Sequence, residues 1–397
     1  MADLRYGIVT FKGQRAGILK EEPGGGTSFI YDDGWSEQIA CAFPINQKEF
    51  GASNGLHPFF AHLAPEGWLR ERQSAYANLD RQDDFGILLA FGADCIGAVG
   101  VEDPEGSASD FNVASAIDAR SVAVTNGHRT ISGVQAKLLC VQQGEDVVAA
   151  PATGPAPLIA KYPSERLTDL VANEYATLRL CKVLLGKDEV AATRKAIVKD
   201  VEGVALVVER FDHVGGEHLS KLRCEDFAQV VGIAPGRDHQ GKYRVGYDSI
   251  NQALSYSSSP VVDARRVFLR LAAFIILGNV DCHLKNWSLL EYQEGLRLSP
   301  VYDVVNGYIY GALGYTTRFG LQINGQQLQW DQYDRDLLHE LAPTIGLSRK
   351  AADGALKEQA RKKDKFFACL GDSLGLGEDR TYDYRACVQI GWEKIHG

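Results

Sequence analysis

The 397-residue chain lacks the features that mark several classes of protein. It has no apolar run of about 18 residues, so we expect no membrane span. No apolar segment near its start predicts a signal peptide. Its eight cysteines are scattered singly without a Cys-x-x-Cys pair, which argues against both a zinc ribbon and a disulfide framework. These absences favour reduced thiols in a cytoplasmic protein that does not contact a membrane.

Acidic residues outnumber basic ones, and this balance argues against a further class. The formal net charge is −9 and the isoelectric point is about 5.6, values that do not suit broad nucleic-acid binding by the chain itself. With 45% apolar residues the chain can bury a full core, and it is long enough for two or three domains. The composition therefore favours a globular protein of several domains.

Three regions of different pattern follow one another along the chain. A stretch rich in Pro, Gly, Ser and Asp at residues 103–110 is the best first boundary. We predict an α+β fold with a β-rich N-terminal subdomain over 1–105, a mixed lobe over 120–215 and a helical lobe over 216–397. The individual predictions are helices at Pro58–Leu69, Phe85–Phe91, Leu170–Leu185 and Phe268–Leu277, strands at Tyr6–Phe11, Lys137–Val141, Leu158–Tyr162 and Ala205–Phe211, and a hairpin turn at Asn324-Gly325.

The most informative segment is a polar loop that follows an apolar helix. Asp281, His283, Lys285 and Asn286 fall within six positions, and Asp303 comes seventeen residues after the asparagine. Phosphoryl transfer needs this set, because one carboxylate orients the attacking hydroxyl while an amide and a second carboxylate hold Mg²⁺ on the phosphates. The spacing Asp-x-x-x-x-Asn is that of the kinase catalytic loop. Since lipid and aminoglycoside kinases share the form Asp-x-His-x-x-Asn, the loop indicates the kinase-like superfamily before any one member.

Two other interpretations of this loop stay open. A chain of this length should contain about one accidental Asp-x-x-x-x-Asn, so the segment can be an ordinary solvated turn after a helix. It can also be the metal site of a hydrolase with Asp281, His283 and Asp303 as ligands, although no second histidine lies at helix or strand spacing from His283. The upstream residues have to decide between them.

Three upstream features fit the order of a kinase. Residues 130–137 combine one glycine with small and hydroxyl residues, so their backbone N–H groups can approach phosphate oxygens. Lys161 ends an apolar strand, where a kinase places the lysine that pairs with the phosphates. Glu174 opens the next helix and can orient that lysine. The ordinary alternatives are a strand-entry turn, an unremarkable strand-end lysine and a first-turn acid.

A fourth feature is the end of a valine-rich strand at Glu209–Phe211. A kinase hinge offers backbone groups to adenine at such a point. Arg210 and Asp212 can equally form a surface ion pair, and the sequence leaves both possibilities open.

In this combination the chain resembles the HipA family of serine/threonine kinase toxins from bacterial toxin–antitoxin modules. The resemblance spans nearly the whole chain, and the segment from Phe59 to Gly67 is similar to the family's small N-terminal subdomain. The motifs that carry it are Ile131-Ser132-Gly133-Val134-Gln135-x-Lys137, Ile159-Ala160-Lys161, Asn173-Glu174, Val208-Glu209-Arg210-Phe211-Asp212, Glu225-Asp226-Phe227, Lys242-Tyr243, Asn279-x-Asp281-x-His283-x-Lys285-Asn286 and Tyr302-Asp303.

The resemblance implies a HipA-type protein-kinase-like fold with a β-rich N-terminal subdomain, a mixed ATP-binding lobe and an all-helical C-terminal lobe. It implies ATP and Mg²⁺ as cofactors, Asp281 as the catalytic residue, Asn286 and Asp303 as metal ligands, and Glu174 as an orienting residue. The family autophosphorylates a serine, and that position is Thr130 here, with Ser132 two residues on. The implied ATP-binding residues are Ser132, Gly133, Val134, Gln135, Ala136, Lys137, Lys161, Glu209, Arg210, Phe211, His283, Lys285, Asn286, Tyr302 and Asp303.

The resemblance also implies partners. They are a small helix-turn-helix antitoxin of the HipB type, which brings the complex to DNA, and an aminoacyl-tRNA synthetase as substrate, with the glutamyl enzyme first in line. Phosphorylation of that enzyme would inhibit translation. Two other functions stay open: a catalytically quiet corepressor that acts by binding an antitoxin, and a small-molecule kinase of the aminoglycoside type.

Overall fold

The computed structural model describes residues 4–104, 135–151, 154–215 and 220–397. The chain divides into two compact units, of which the first contains residues 1–164 and 196–239 and the second residues 165–195 and 240–397. The predicted boundaries at 105 and 120 lie outside the described residues, so the division into three domains stays a prediction.

The first unit begins with a five-stranded antiparallel sheet, as the alternating pattern near the start predicts. The strands are β1 (Tyr6–Phe11), β2 (Gln14–Glu21), β3 (Thr27–Tyr31), β4 (Glu49–Ala52) and β5 (Val99–Glu102). Their order in the sheet is β4-β3-β2-β1-β5, so that the last strand pairs with the first. Buried residues of the helices Pro58–Ala61 and Asp84–Phe91 pack into one core with this sheet, and the helix Gly67–Tyr76 packs against Asp84–Phe91.

Aromatic rings fill the space between this sheet and its helices. The ring centroids of Phe29, Phe43 and Phe60 lie 5.0 to 5.6 Å apart, a separation at which aromatic pairs stabilise beyond their buried area. The single helix predicted over Pro58–Leu69 is wrong: one helix ends at Ala61 and the next begins at Gly67. Pro65 explains the break, because proline removes a backbone donor and disfavours helical backbone just before it.

A second sheet completes the first unit. Its strands are β6 (Lys137–Gln143), β7 (Asp146–Ala149), β8 (Leu158–Lys161), β9 (Thr193–Ile197) and β10 (Val204–Glu209), in the order β7-β6-β8-β10-β9. The chain passes from the second unit back into the first within β9. The strand predicted to reach Phe211 ends at Glu209 instead, which matters for the hinge described below. The described residues of this unit also form β11 (His213–Val214), β12 (Ser220–Lys221), β13 (Cys224–Asp226) and the helix Phe227–Val230.

The second unit is mainly helical. Its helices are Leu170–Leu185, Asp248–Leu254, Pro260–Ile276, Arg335–Thr344, Arg349–Ala360, Lys363–Gly371 and Glu378–His396. Two antiparallel hairpins accompany them: β14 (Ser288–Tyr292) with β15 (Gly295–Leu298), and β16 (Arg318–Ile323) with β17 (Gln326–Gln329). The helix Leu170–Leu185 and the second hairpin confirm their predictions. Short 3-10 turns occur at Lys187–Glu189, Arg237–Tyr243, Leu284–Asn286, Tyr308–Leu313 and Trp330–Gln332.

The helix Pro260–Ile276 forms the centre of the second unit and packs against the helices Arg349–Ala360 and Glu378–His396. Gly391 allows the last of these to approach closely, because a Cβ atom there would lie 2.5 Å from the carbonyl oxygen of Ile276. The end of the central helix is thereby held on a rigid support.

Two observations bear on the expectations drawn from composition. Within the described part of the chain, none of the helices combines the length and hydrophobicity that a membrane crossing requires. All eight cysteines fall within the described residues, and none of them forms a disulfide.

Candidate active site

The polar loop starts where the central helix ends. Backbone N–H groups of Gly278 and Asn279 donate to the carbonyls of Ile275 and Phe274, which is the hydrogen-bond pattern of a Schellman helix end. Gly278 has φ = +65°, a left-handed conformation that glycine adopts without strain. The predicted helix end is therefore confirmed, and it sends the chain directly into Asp281.

Asp281 presents its carboxylate to solvent. The side chain is 59% exposed, and its Oδ1 accepts a hydrogen bond of 2.7 Å from the Tyr243 hydroxyl. The Nε2 atom of His283 lies 3.8 Å from the same oxygen, too far for a hydrogen bond. An exposed, ionisable carboxylate on a rigidly supported loop can receive the hydrogen bond of an incoming hydroxyl group.

Asn286 shapes the loop around this carboxylate. Its Nδ2 donates a hydrogen bond of 2.6 Å to the main-chain carbonyl of Asp281. Because the amide nitrogen is used on the backbone, the amide oxygen Oδ1 is the atom that Asn286 can offer to a cation. Oxygen is the ligand that Mg²⁺ prefers.

Asp303 follows the strand-like residue Val301 and has φ = +57°. A non-glycine residue in this region of the backbone is uncommon, and such residues cluster at functional sites. Tyr302, the residue before Asp303, holds this loop in place. Its hydroxyl donates to the carbonyl oxygen of Lys285 at 2.8 Å and lies 2.6 Å from Ser288 Oγ. The two loops that carry Asp281 and Asp303 are thus joined through one phenol.

The rest of the loop is buried. His283 and Lys285 are both less than a tenth exposed, and burial raises the pKa of the Cys282 thiol, which therefore stays neutral. Strand β16 passes beneath this segment at Gly320, where a Cβ atom would lie 2.7 Å from the backbone nitrogen of His283. Only glycine lets the two backbones come this close.

A metal-dependent hydrolase finds no support in this geometry. Among the residues that the structure describes, no three His, Cys, Asp or Glu side chains come together as a set of metal ligands. A magnesium ion bound with a nucleotide needs no such cluster, because one or two protein oxygens and the phosphates complete its coordination. Asn286 and Asp303 fit this second situation.

Sequence reasoning missed a buried amide that holds the Asp303 loop. Asn173 is fully buried in the helix Leu170–Leu185. Its Nδ2 donates to the carbonyl oxygen of Asn306 at 3.0 Å, and its Oδ1 accepts from the Asn306 backbone nitrogen at 2.9 Å. The side chain thus binds both backbone groups of a residue only three positions after Asp303. The motif Asn173-Glu174 includes this residue, but the local sequence does not predict the contact, because its partner is 133 residues away.

Glu174, the next residue of that helix, is fully buried as well. It lies in the second unit, whereas Lys161 lies in the first. The orienting role of Glu174 therefore stays a prediction.

In the first unit, two predicted phosphate-binding lysines are neighbours. Lys137 and Lys161 lie directly opposite each other in the antiparallel pair of β6 and β8, and Lys161 is 5% exposed. Like charges in register across a sheet normally destabilise it. Two hydrogen bonds hold the adjacent residues 135 and 136 against Tyr162. Gln135 Nε2 donates to the carbonyl oxygen of Tyr162 at 2.7 Å, and the Tyr162 backbone nitrogen donates to the carbonyl oxygen of Ala136 at 3.0 Å.

The structure contradicts one of the two interpretations of the predicted hinge at Glu209–Phe211, that of a surface ion pair. Arg210 and Asp212 are not a surface pair, since their side chains are 1% and 2% exposed and lie 2.7 Å apart. The Arg210 guanidinium also donates to the carbonyl oxygens of Cys95 and Ala156. Its side chain thus anchors the backbone that follows β10, and the proposed contact of Glu209–Phe211 with adenine stays a prediction about the main chain.

The remaining predicted residues, Thr130, Ser132, Gly133 and Val134, lie outside the described residues. Their roles stay predictions.

Comparison with known families decides the relationship. The HipA-like C-terminal domain family matches residues 129–365, more than half of the chain, and the HipA N-terminal domain family matches residues 7–102. The chain belongs to the HipA family. Asp281, Asn286 and Asp303 all lie within the first match.

Individual HipA relatives align over most of the chain. The serine/threonine-protein kinase toxin HipA of Shewanella oneidensis is 27% identical over 289 residues, which are 66% of this chain and 65% of that protein. Y4dM of Sinorhizobium fredii, named as a candidate kinase, is 32% identical over 267 residues, 63% of this chain and 62% of that protein. The chain thus spans just under two thirds of the length of these two relatives.

The fold extends further than these alignments. The solved Shewanella oneidensis HipA, in its complex with HipB and operator DNA, has a TM-score of 0.73 at 18% identity and covers 98% of this chain and 97% of that one. At this identity the likeness establishes the fold alone. The predicted α+β, HipA-type kinase-like fold is confirmed.

Proposed function

We propose that this HipA-family chain is an ATP- and Mg²⁺-dependent serine/threonine protein kinase that acts as the toxin of a toxin–antitoxin module. The observation that carries the proposal is the Asp281 loop. An exposed carboxylate stands on a supported helix end, the Asn286 amide holds its main-chain carbonyl, and Tyr302 connects this loop to Asp303. Relatives that bear kinase names support the same reaction.

Each part of the chain has a role in this reaction. Asp281 accepts a hydrogen bond from the attacking serine or threonine hydroxyl and orients it, while Asn286 and Asp303 offer oxygen atoms to Mg²⁺. Lys137 and Lys161 compensate phosphate charge. Bound ATP supplies the transferred phosphoryl group. The backbone of Glu209–Phe211 binds adenine, and His283, Lys285 and Tyr302 line the nucleotide site.

We assign a helix-turn-helix antitoxin of the HipB type as the partner. The support is the solved relative, which is a complex of HipA with HipB and operator DNA. A net charge of −9 fits a chain that reaches DNA only through such a partner. The proposed substrate is an aminoacyl-tRNA synthetase, with the glutamyl enzyme first.

The competing functions are weaker. A catalytically quiet corepressor would not need Lys161, Asp281, Asn286 and Asp303 together, and all four are present. A small-molecule kinase of the aminoglycoside type would not carry the N-terminal unit, whereas residues 7–102 match the HipA N-terminal domain.

The test of the function is phosphate transfer to protein. The purified full chain is incubated with radiolabelled ATP, Mg²⁺ and a panel of aminoacyl-tRNA synthetases from the same host. We expect label on the glutamyl enzyme and a loss of its charging activity. Label on the chain but on no synthetase would support the proposed kinase activity and contradict the proposed synthetase substrate. Phosphate transfer to aminoglycosides but to no protein would contradict the kinase class.

The same incubation tests self-modification. We expect phosphate on Thr130 or Ser132. A charge of about −1.5 to −2 there would repel the γ-phosphate of incoming ATP, so the modification would act as a switch. Phosphopeptide mass spectrometry locates the site, and calorimetry with ATP should show weaker binding by the modified chain. Phosphate on distant residues alone, or full ATP affinity in the Thr130→Asp/Ser132→Asp variant, would contradict the switch.

A further inference from the structure

A tyrosine far from the catalytic loop in sequence contacts its central carboxylate. Tyr243 is the last residue of the 3-10 segment Arg237–Tyr243, and its hydroxyl donates to Asp281 Oδ1 at 2.7 Å. A short hydrogen bond to an ionised acceptor is stronger than one between neutral groups.

The ring of Tyr243 is held in place by its neighbours. Its centroid lies 4.9 Å from that of the His283 imidazole, with the two planes at 81°, and Lys242 Nζ lies 5.6 Å from the ring centre. His283 belongs to the same loop as Asp281 and is buried. The phenol is therefore positioned by the loop that it contacts.

Asp281 needs such a partner. The terminal torsion of an aspartate is broad, so a carboxylate that is 59% exposed can turn freely unless one of its oxygens is bound. Phosphate transfer requires the acceptor hydroxyl within about 3 Å of a carboxylate oxygen and in line with the phosphorus atom, and a displacement of about 1 Å can cost about 10²-fold in rate. A hydrogen bond to one carboxylate oxygen fixes the plane of the carboxylate and with it the position of the other oxygen.

We infer that Tyr243 is a positioning residue for phosphate transfer: its hydroxyl holds Asp281 Oδ1 so that Oδ2 faces the acceptor hydroxyl. The inference rests on the proposed role of Asp281. Tyr243 touches neither substrate nor nucleotide in this role. It lies 38 positions before Asp281.

Tyr243→Phe isolates the hydroxyl, because phenylalanine keeps the ring contact with His283. We expect kcat for phosphate transfer to protein to fall about tenfold to 10²-fold, with the KM for ATP and the circular-dichroism spectrum unchanged. Tyr333→Phe is the matched control, since it removes a buried phenol hydroxyl that lies 3.2 Å from the Tyr247 hydroxyl in the same unit. It should leave kcat unchanged.

A double-mutant cycle shows whether Tyr243 acts through Asp281. In an Asp281→Ala background, which keeps no side-chain oxygen to accept the Tyr243 hydroxyl, Tyr243→Phe should cause no further loss of the residual rate, because residues that act as one unit are not additive. Equal losses in both backgrounds would overturn the inference. So would a faster Tyr243→Phe enzyme, which would mean that the hydroxyl blocks the acceptor position, or phosphate found on Tyr243 itself.

Failure of the proposed kinase function can be distinguished from failure of the Tyr243 inference. If the wild-type chain transfers no phosphate to any acceptor, the proposed function fails. The same cycle is then measured on the urea midpoint, where additive shifts of the two single variants would overturn the Tyr243–Asp281 bond, while non-additive shifts would support it.

Discussion

Replacing Asp281 with alanine should lower phosphate transfer about 10²–10⁴-fold, the usual cost of removing a positioned acid or base. The fold should be unaffected, because the side chain is 59% exposed and supports no core contact that a cavity would disturb. Incorporation of radiolabelled phosphate into protein measures the rate, and circular dichroism checks the fold. A transfer rate equal to that of wild type would remove Asp281 from the mechanism.

A matched control separates this effect from the loss of any surface acid. Asp372 is equally exposed, at 59%, and is bound by Arg179 at 2.9 Å in the same unit. Asp372→Ala should transfer phosphate at the wild-type rate. A similar loss in both variants would indicate an effect of net charge rather than of position.

The metal ligands should show the opposite signature. Asp281→Ala should still bind ATP with Mg²⁺, whereas Asn286→Ala and Asp303→Asn should each weaken the Mg²⁺-dependent part of ATP affinity, because each removes a hard oxygen ligand. Calorimetry with and without Mg²⁺ resolves this difference. Unchanged metal dependence in both ligand variants would contradict the metal site.

The sequence predicted the parts of the site that depend on neighbouring residues. The end of the central helix could be located because Gly278 follows an apolar helix, and the hairpin turn because Asn324 and Gly325 tolerate positive φ, observed at 52° and 77°. The order of Asp281, Asn286 and Asp303 is likewise a local pattern. Such signals lie within a few positions of the structure they determine.

What the sequence could not predict depends on distant partners. The hairpin of β14 and β15 was missed within a region expected to be helical, and the Asn173 clamp joins backbone groups 133 positions away. The pairing of Tyr243 with Asp281 could not be inferred either, although both residues stood in recognised motifs. A pattern shows which residues are candidates, but contacts between segments require the packed fold.

The buried pair of Arg210 and Asp212 shows the same limit, and it leads to the largest expected change in stability. Burial alone would raise the pKa of Asp212, but the charge of Arg210 and its hydrogen bonds hold that pKa well below its usual range. The carboxylate also accepts a 2.8 Å hydrogen bond from the Gly97 backbone nitrogen. One pair thus joins the hinge backbone to the segment before β5 within the first unit.

Asp212→Ala should lower the free energy of unfolding of the first unit by about 3–5 kcal/mol, because it leaves the Arg210 guanidinium buried without its counter-ion. Hydrogen-exchange mass spectrometry in urea reports on this unit separately from the second. In the wild-type chain, the contribution of the pair should be complete above pH about 4 and be lost as the pH falls towards the depressed pKa of Asp212.

Two further variants make this prediction specific. Asp32→Ala breaks the pair with Arg15, which has the same 2.7 Å separation but is 52% and 32% exposed, and should cost at most about 1 kcal/mol. Arg210→Met/Asp212→Leu replaces both charges with apolar groups and should be less damaging than Asp212→Ala alone, because no unpaired charge remains. If Asp212→Ala and Asp32→Ala destabilise the first unit equally, the buried pair does not anchor the backbone that follows β10.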